Sequence, residues 1–192
     1  MARIAIIVGH ARRDTYCEAL GGAYLRGAQA ADHAAELFVL SKMSFDPILH
    51  DGFKSVQKLE PDLQAAQDAI GRANHLVLVF PLWMGTMPAI LKGFLERVLQ
   101  PGFAMEADGR DAGYKPLLKG KSARVIITMG TPAPVYRWWF GAHELKALKR
   151  NVLGYVGIAP VRSTLLGMVD IATEGMRRQW LDEVEALGRA AG

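Results

Sequence analysis

Five short apolar runs, rich in β-branched residues, recur along the chain: Arg3–Val8, Glu36–Leu40, His75–Phe80, Arg124–Met129 and Arg162–Leu166. They are apolar throughout rather than alternating, the pattern of strands buried on both faces of a sheet. Between them the spacing changes to that of helices, over Thr15–Ala31, Pro61–Ala73, Pro88–Leu99 and Ala142–Tyr155, and a last helix, Thr173–Ala190, follows the final strand. Strict alternation, with each helix long enough to cross over and return the chain in parallel, predicts a doubly wound α/β sheet with helices on both faces. Two stretches, Ser41–Glu60 and Gln100–Lys121, exceed ordinary connections and have the length of lids, binding loops or interface segments.

Five strand–helix units match the flavodoxin-like count, a five-stranded parallel sheet of order 2-1-3-4-5. In that order the topological switch lies between the first and third strands, so a ligand belongs beyond their carboxyl ends. Three loops should converge there: Gly9–Asp14, Pro81–Met87 and Gly130–Gly141.

Composition narrows the class. A chain of 192 residues, 51% hydrophobic, is read as one domain spanning residues 1–192 with a full two-sided core. A net charge of +4 favours anionic ligands such as nucleotides, but the basic residues are scattered and no nucleic-acid partner is expected. The densest cluster, Lys146, Lys149 and Arg150, has the spacing of one solvated helix face; the other reading is a contact for a cofactor phosphate. Cys17 is the single cysteine, with neither a CxxC nor a Cys/His metal spacing, so no disulfide and no metal are expected and a reducing, cytoplasmic location fits. The apolar run Ile4–Val8 is too short, and too soon followed by charge, for a signal segment or membrane insertion.

Neither G-x-G-x-x-G nor G-x-x-x-x-G-K-[ST] follows the first strand, which disfavours a dinucleotide fold or P-loop. Arg12, Arg13, Asp14 and Thr15 stand at a helix start, where free N–H groups and hydroxyls can hold a phosphate, or where Asp14 or Thr15 simply caps the helix. Cys17, in the first turns, lacks the following phosphate cradle and Arg that a phosphatase-like nucleophile needs. The loop around Pro81, Trp83 and Gly85 is neutral and apolar, suiting a flat uncharged heterocycle better than a phosphate; the plainer alternative is a Trp83 that only packs.

The stretch Phe80-Pro-Leu-x-x-x-x-x-Pro-Ala-Ile-Leu-Lys-Gly-Phe-Leu-Glu-Arg-Val98, followed by Pro101-Gly-Phe-Ala104, resembles the NAD(P)H:quinone oxidoreductase family. The likeness extends to Gly9-His10-x-Arg-x-Asp-Thr15, Ser44-Phe-Asp-Pro47, and Thr128-x-Gly130 with Tyr136. The resemblance implies a flavodoxin-like flavoprotein that uses NAD(P)H to reduce a quinone or similar electron-poor acceptor, two electrons at a time and by a ping-pong cycle. It implies a flavin with His10, Thr15, Tyr16 and Cys17 near its phosphate. Pro81, Leu82, Trp83, Met84 and Gly85 would run along its ring edge, and Thr128, Met129, Gly130 and Tyr136 would face its pyrimidine end. Phe103 and Met105, from the segment over the ring face in the family, and Trp139 are the expected substrate pocket. Tyr136 and His143 are the candidates for proton balance, His143 matching the family position with a one-residue shift.

Departures bear on different features. Many relatives carry consecutive aromatics and a Phe-Gly where this chain reads Trp83-Met-Gly-Thr-Met87, which alters the substrate face more than the backbone contacts. Relatives with the longer cofactor carry an Asn after an aromatic early in the first helix; here Cys17 follows Tyr16, favouring FMN, with FAD the alternative. Trp138, Trp139, Phe140 and the Gln100–Lys121 excursion offer more apolar surface than one small domain hides, so a homodimer is expected, as in the family. Two other functions remain open: a flavodoxin-type electron carrier, disfavoured by the basic charge, and a flavin-containing regulatory subunit of a membrane transporter.

Overall fold

The computed structural model describes residues 1–107 and 114–191. Its main sheet has five parallel strands, β1 (Arg3–Val8), β2 (Ala34–Val39), β3 (His75–Pro81), β6 (Ser122–Thr128) and β7 (Val161–Leu166), in the order β2-β1-β3-β6-β7. Counted within the sheet this is 2-1-3-4-5, as expected. A separate antiparallel pair, β4 (Met105–Ala107) with β5 (Tyr114–Pro116), lies within the long excursion and was not foreseen. At three residues each, these strands are too short for a period to register.

Side-chain alternation splits the interior into two layers. Ile4, Ile6, Val8, Val77, Val79 and Ile126 face α1 (Tyr16–Ala30) and α5 (Glu174–Arg189). Ala5, Ile7, Leu76, Leu78, Phe80, Val125 and Ile127 face α2 (Pro61–Arg72), α3 (Ala89–Val98) and the segment after residue 142. Every residue of β3 is buried, which explains its unbroken apolar sequence.

On the first face α1 and α5 touch backbone to backbone. A Cβ on Gly27 would stand 1.9 Å from the Glu185 carbonyl oxygen, and one on Gly188 would stand 2.2 Å from that of Tyr24. On the second, the Ser41–Glu60 excursion is pinned to α3. The fully buried Arg97 guanidinium donates to the carbonyls of Asp46 and Lys58 and pairs with Glu60, while Gln100 Nε2 donates to the Gln57 carbonyl. A buried cation bonded to two loop carbonyls and a loop carboxylate gives this long segment a fixed course.

The expected helix Ala142–Tyr155 differs. Only α4 (His143–Ala147) is α-helical, and Leu148–Leu153 continues as a wide π-helical turn, with the Gly154 N–H reaching the Lys149 carbonyl at 2.9 Å. The reason lies in the buried positions Leu145, Leu148, Leu153 and Val156: the five-residue step from 148 to 153 suits the wider turn and would leave an α-helical face.

Candidate functional site

Parallel register brings three strand ends level. Val8 pairs with Val79, Pro81 with Thr128 and Thr128 with Leu166, and the ladder runs one residue further through Gly9 N–H to Val79 O, Leu82 N–H to Thr128 O and Met129 N–H to Leu166 O, at 2.8, 2.8 and 2.9 Å. The loops after β1, β3 and β6 therefore leave the sheet side by side.

The first loop ends at Thr15, the N-cap of α1, whose hydroxyl accepts from the Glu18 N–H. Glu18 returns to the Asp14 N–H at 3.0 Å and pairs with Lys42. The N–H groups of Tyr16 and Cys17 keep no partner among the described residues, so the helix start can still accept an anion. His10 is buried, and its Nδ1 accepts the Arg12 N–H at 2.9 Å, leaving a proton for Nε2. Burial, then the Arg12 charge, hold the His10 pKa below the ordinary histidine value, so the ring is neutral near pH 7.

Two side chains here face inward. The Tyr16 hydroxyl donates to the Arg177 carbonyl at 2.9 Å, and burial raises its pKa to about 12. Cys17 Sγ lies 3.3 Å from Thr128 Oγ1 in the core, its thiol pushed up to about 11 by burial. Neither is a nucleophile, and both meet an anion only through their amides.

The second loop is a four-residue turn. Trp83 and Thr86 exchange backbone hydrogen bonds of 2.9 and 3.0 Å, with Met84 and Gly85 between them at φ values of 49° and 81°. Two successive left-handed residues make a mirror-image turn, which Gly85 adopts freely and Met84 at some cost. The Met84 side chain is fully exposed, and the Met84 and Gly85 N–H groups have no partner among the described residues. The Trp83 ring meets that of His10, linking this turn to the phosphate-type loop.

The third loop forms a π-helical turn over Val135–Trp139, closed by the Phe140 N–H on the Val135 carbonyl at 3.1 Å. Tyr136 is buried, its hydroxyl accepting the Leu145 N–H at 3.3 Å, and burial raises its pKa. The second and third loops enclose a cleft of about 400 Å³ lined by Leu82, Met84, Gly85, Met129, Gly130, Thr131, Tyr136, Phe140 and His143. Its uncharged apolar walls with free amides suit a flat heterocycle.

The chain belongs to the flavodoxin-like fold family. Its family model matches residues 2–187. An uncharacterized NAD(P)H oxidoreductase of Haemophilus influenzae is 33% identical over 148 residues, 74% of this chain and 72% of that protein. An FMN-dependent NADH:quinone oxidoreductase of Ruegeria pomeroyi is 26% identical over 165 residues, 71% of this chain and 80% of that protein. Among solved structures, the NAD(P)H:quinone oxidoreductase from Methanothermobacter marburgensis superposes with a TM-score of 0.83 at 23% identity, over 100% of this chain and 99% of that one, a likeness of fold.

Within this flavodoxin-like site the expected residues separate into groups. Leu82, Met84, Gly85, Met129, Gly130, Tyr136 and His143 line the cleft; His10, Thr15, Tyr16 and Cys17 cluster at the α1 start; Trp83 bridges the two. Pro81 and Thr128 are buried at the strand ends beneath. The expected substrate trio stands apart from the cleft within this chain. Phe103 packs on Gly71, Met105 lines a separate cavity with Tyr114 and Tyr155, and Trp139 is 84% exposed. Phe140, at the end of the π-helical turn, lines the cleft instead. Thr86 and Glu144, joined by a 2.6 Å hydrogen bond, carried no motif signal.

Proposed function

We propose that the protein is an FMN-dependent NAD(P)H oxidoreductase acting on quinones or related electron-poor acceptors. The observation that carries this reading is an anion-accepting helix start and a neutral, amide-lined cleft at one sheet edge, joined through the His10–Trp83 contact. The relatives named as NAD(P)H and FMN-dependent NADH:quinone oxidoreductases support it. When bound, FMN would supply the hydride-transfer chemistry of a ping-pong cycle between NAD(P)H and the acceptor.

The chain's own residues bind and orient. The Tyr16 and Cys17 amides, the Thr15 hydroxyl and the Arg12 side chain take the phosphate; the Met84 and Gly85 amides meet the ring edge. Tyr136, neutral because burial disfavours its anion, lines the cleft with a phenolic proton still to give, and the exposed His143 stands at the mouth as the other candidate for proton balance.

A homodimer completes this reading. Phe53, Leu95, Leu99, Met105, Tyr114 and Tyr155 line an apolar cavity of about 230 Å³ outside the cleft, and Trp138, Trp139 and Phe140 are exposed nearby in sequence to the cleft residues, surface of the kind a second copy covers. Phe103 and Met105 would then serve the partner's cleft.

The test is purification followed by a visible spectrum, identification of the released flavin, and NADH or NADPH oxidation with and without benzoquinone. A yellow protein releasing FMN, with acceptor-dependent turnover and parallel double-reciprocal lines, is expected. A colourless protein that also fails to take up FMN overturns the proposal, and a monomer by light scattering at micromolar concentration overturns the dimer.

A further inference from the structure

Glu144 is a carboxylate that none of the steps above uses, in a place where keeping one is costly. It is only 9% exposed, Oε2 accepts the Thr86 hydroxyl at 2.6 Å, and Oε1 is buried with no hydrogen-bond partner among the described residues. Removing a carboxylate from water for one hydrogen bond from a neutral hydroxyl is a poor exchange for stability alone, since an apolar residue of similar size would avoid the desolvation.

What the bond does is mechanical. Thr86 closes the Trp83–Thr86 turn, whose inner residues Met84 and Gly85 form one wall of the cleft, while Glu144 directly follows His143 and precedes Leu145, whose N–H holds the Tyr136 hydroxyl on the opposite wall. The first end of the turn is held from the other side, Trp83 leaning on His10. The contacts of the turn's two end residues thus lead to different segments, Trp83 to His10 after β1 and Thr86 to Glu144 after β6. Left-handed Met84 and Gly85 make the turn dependent on such restraint, because a residue like Met84 pays to stay there.

We infer that Glu144 is a positioning residue that, through Thr86, holds the Trp83–Thr86 turn against the Tyr136 loop and so sets the width of the cleft. Its consequence for cofactor binding rests on the flavin reading above. The carboxylate's acceptor oxygen matters here and its charge does not, so an amide oxygen can replace it.

The experiment compares Thr86→Val, Glu144→Ala, the double variant, and the conservative Thr86→Ser and Glu144→Gln, all in the full chain. FMN affinity is read by quenching of flavin fluorescence, and unfolding of the FMN-free protein by urea. Thr86→Val and Glu144→Ala should each weaken FMN binding about tenfold, the upper end for one ordinary hydrogen bond. The double variant should be no worse than the weaker single, and Thr86→Ser and Glu144→Gln should bind within about twofold of wild type, which loss of bulk packing would not predict. Independent, additive losses, or FMN affinity unchanged in folded Thr86→Val and Glu144→Ala, overturn the inference. If the wild type itself takes up no FMN, the flavin reading falls, and the same double-variant comparison in urea decides the link between the loops: non-additivity upholds it and additivity overturns it.

Discussion

His10 and Trp83 meet edge to face, their ring centroids 4.9 Å apart and their planes at 80°. The contact joins the loop after β1 to the loop after β3 across the switch point of the sheet. The imidazole is neutral, its pKa held down by burial and by Arg12, so the two rings pair as uncharged aromatics. Such a pair contributes about 0.5–1.5 kcal/mol beyond area burial. Trp83→Ala and His10→Ala should therefore each weaken FMN binding about three- to tenfold, and their combination should be less than additive in a fluorescence titration. Fully additive losses would show that the two rings act separately.

Cys17 should resist thiol reagents while the protein is folded. With its pKa raised to about 11 by burial, about one thiol in a thousand is ionised at pH 8. Ellman's reagent should react on the timescale of unfolding, and at once in 6 M guanidinium; rapid reaction in native buffer would contradict the buried placement.

His75 should make the protein acid-sensitive. It is 3% exposed, bonded through Nδ1 to the Ser122 hydroxyl at 2.7 Å, and its pKa is lowered to about 4 by burial and then by the charges of Arg124 and Arg162. The unfolded chain binds this proton at the ordinary value of 6.5 and the folded chain only near 4. Stability from this residue is therefore present above pH 6.5 and lost as the pH falls towards 4, by an amount of order 3 kcal/mol. Urea midpoints of wild type and His75→Asn should converge or cross over that window, the wild type falling more steeply; parallel curves would count against it.

The contact of α1 with α5 admits no side chain at either glycine. Gly27→Ala or Gly188→Ala would drive a methyl group into a carbonyl oxygen of the facing helix, and the helices must move apart. Each should cost about 3 kcal/mol and lower the melting temperature by roughly 10 °C. Gly22→Ala on the same helix, whose nearest neighbour is the Arg26 guanidinium at 3.7 Å, should leave the melting temperature within about 2 °C. Equal effects at Gly22 and Gly27 would refute the close approach.

Much of this molecule was legible in its order of residues. Apolar runs flanked by helical periods predict strand, helix and alternation, because burial on two faces demands unbroken hydrophobicity in β3 and amphipathicity in the helices. The loops at the switch point follow from that alternation, and Thr15 before Tyr16 marks the α1 start as either a cap or an anion site; it caps, while the amides beyond it stay open. Tertiary structure decided what depends on distance rather than order. Only the folded chain showed which apolar positions are buried, and so that 148–153 winds as a wide turn and that Phe140 rather than Trp139 meets the cleft. Only the fold brought Thr86 to Glu144 across 58 positions, and Arg97 to Glu60 across 37, because a polar pair gains its energy from proximity in space.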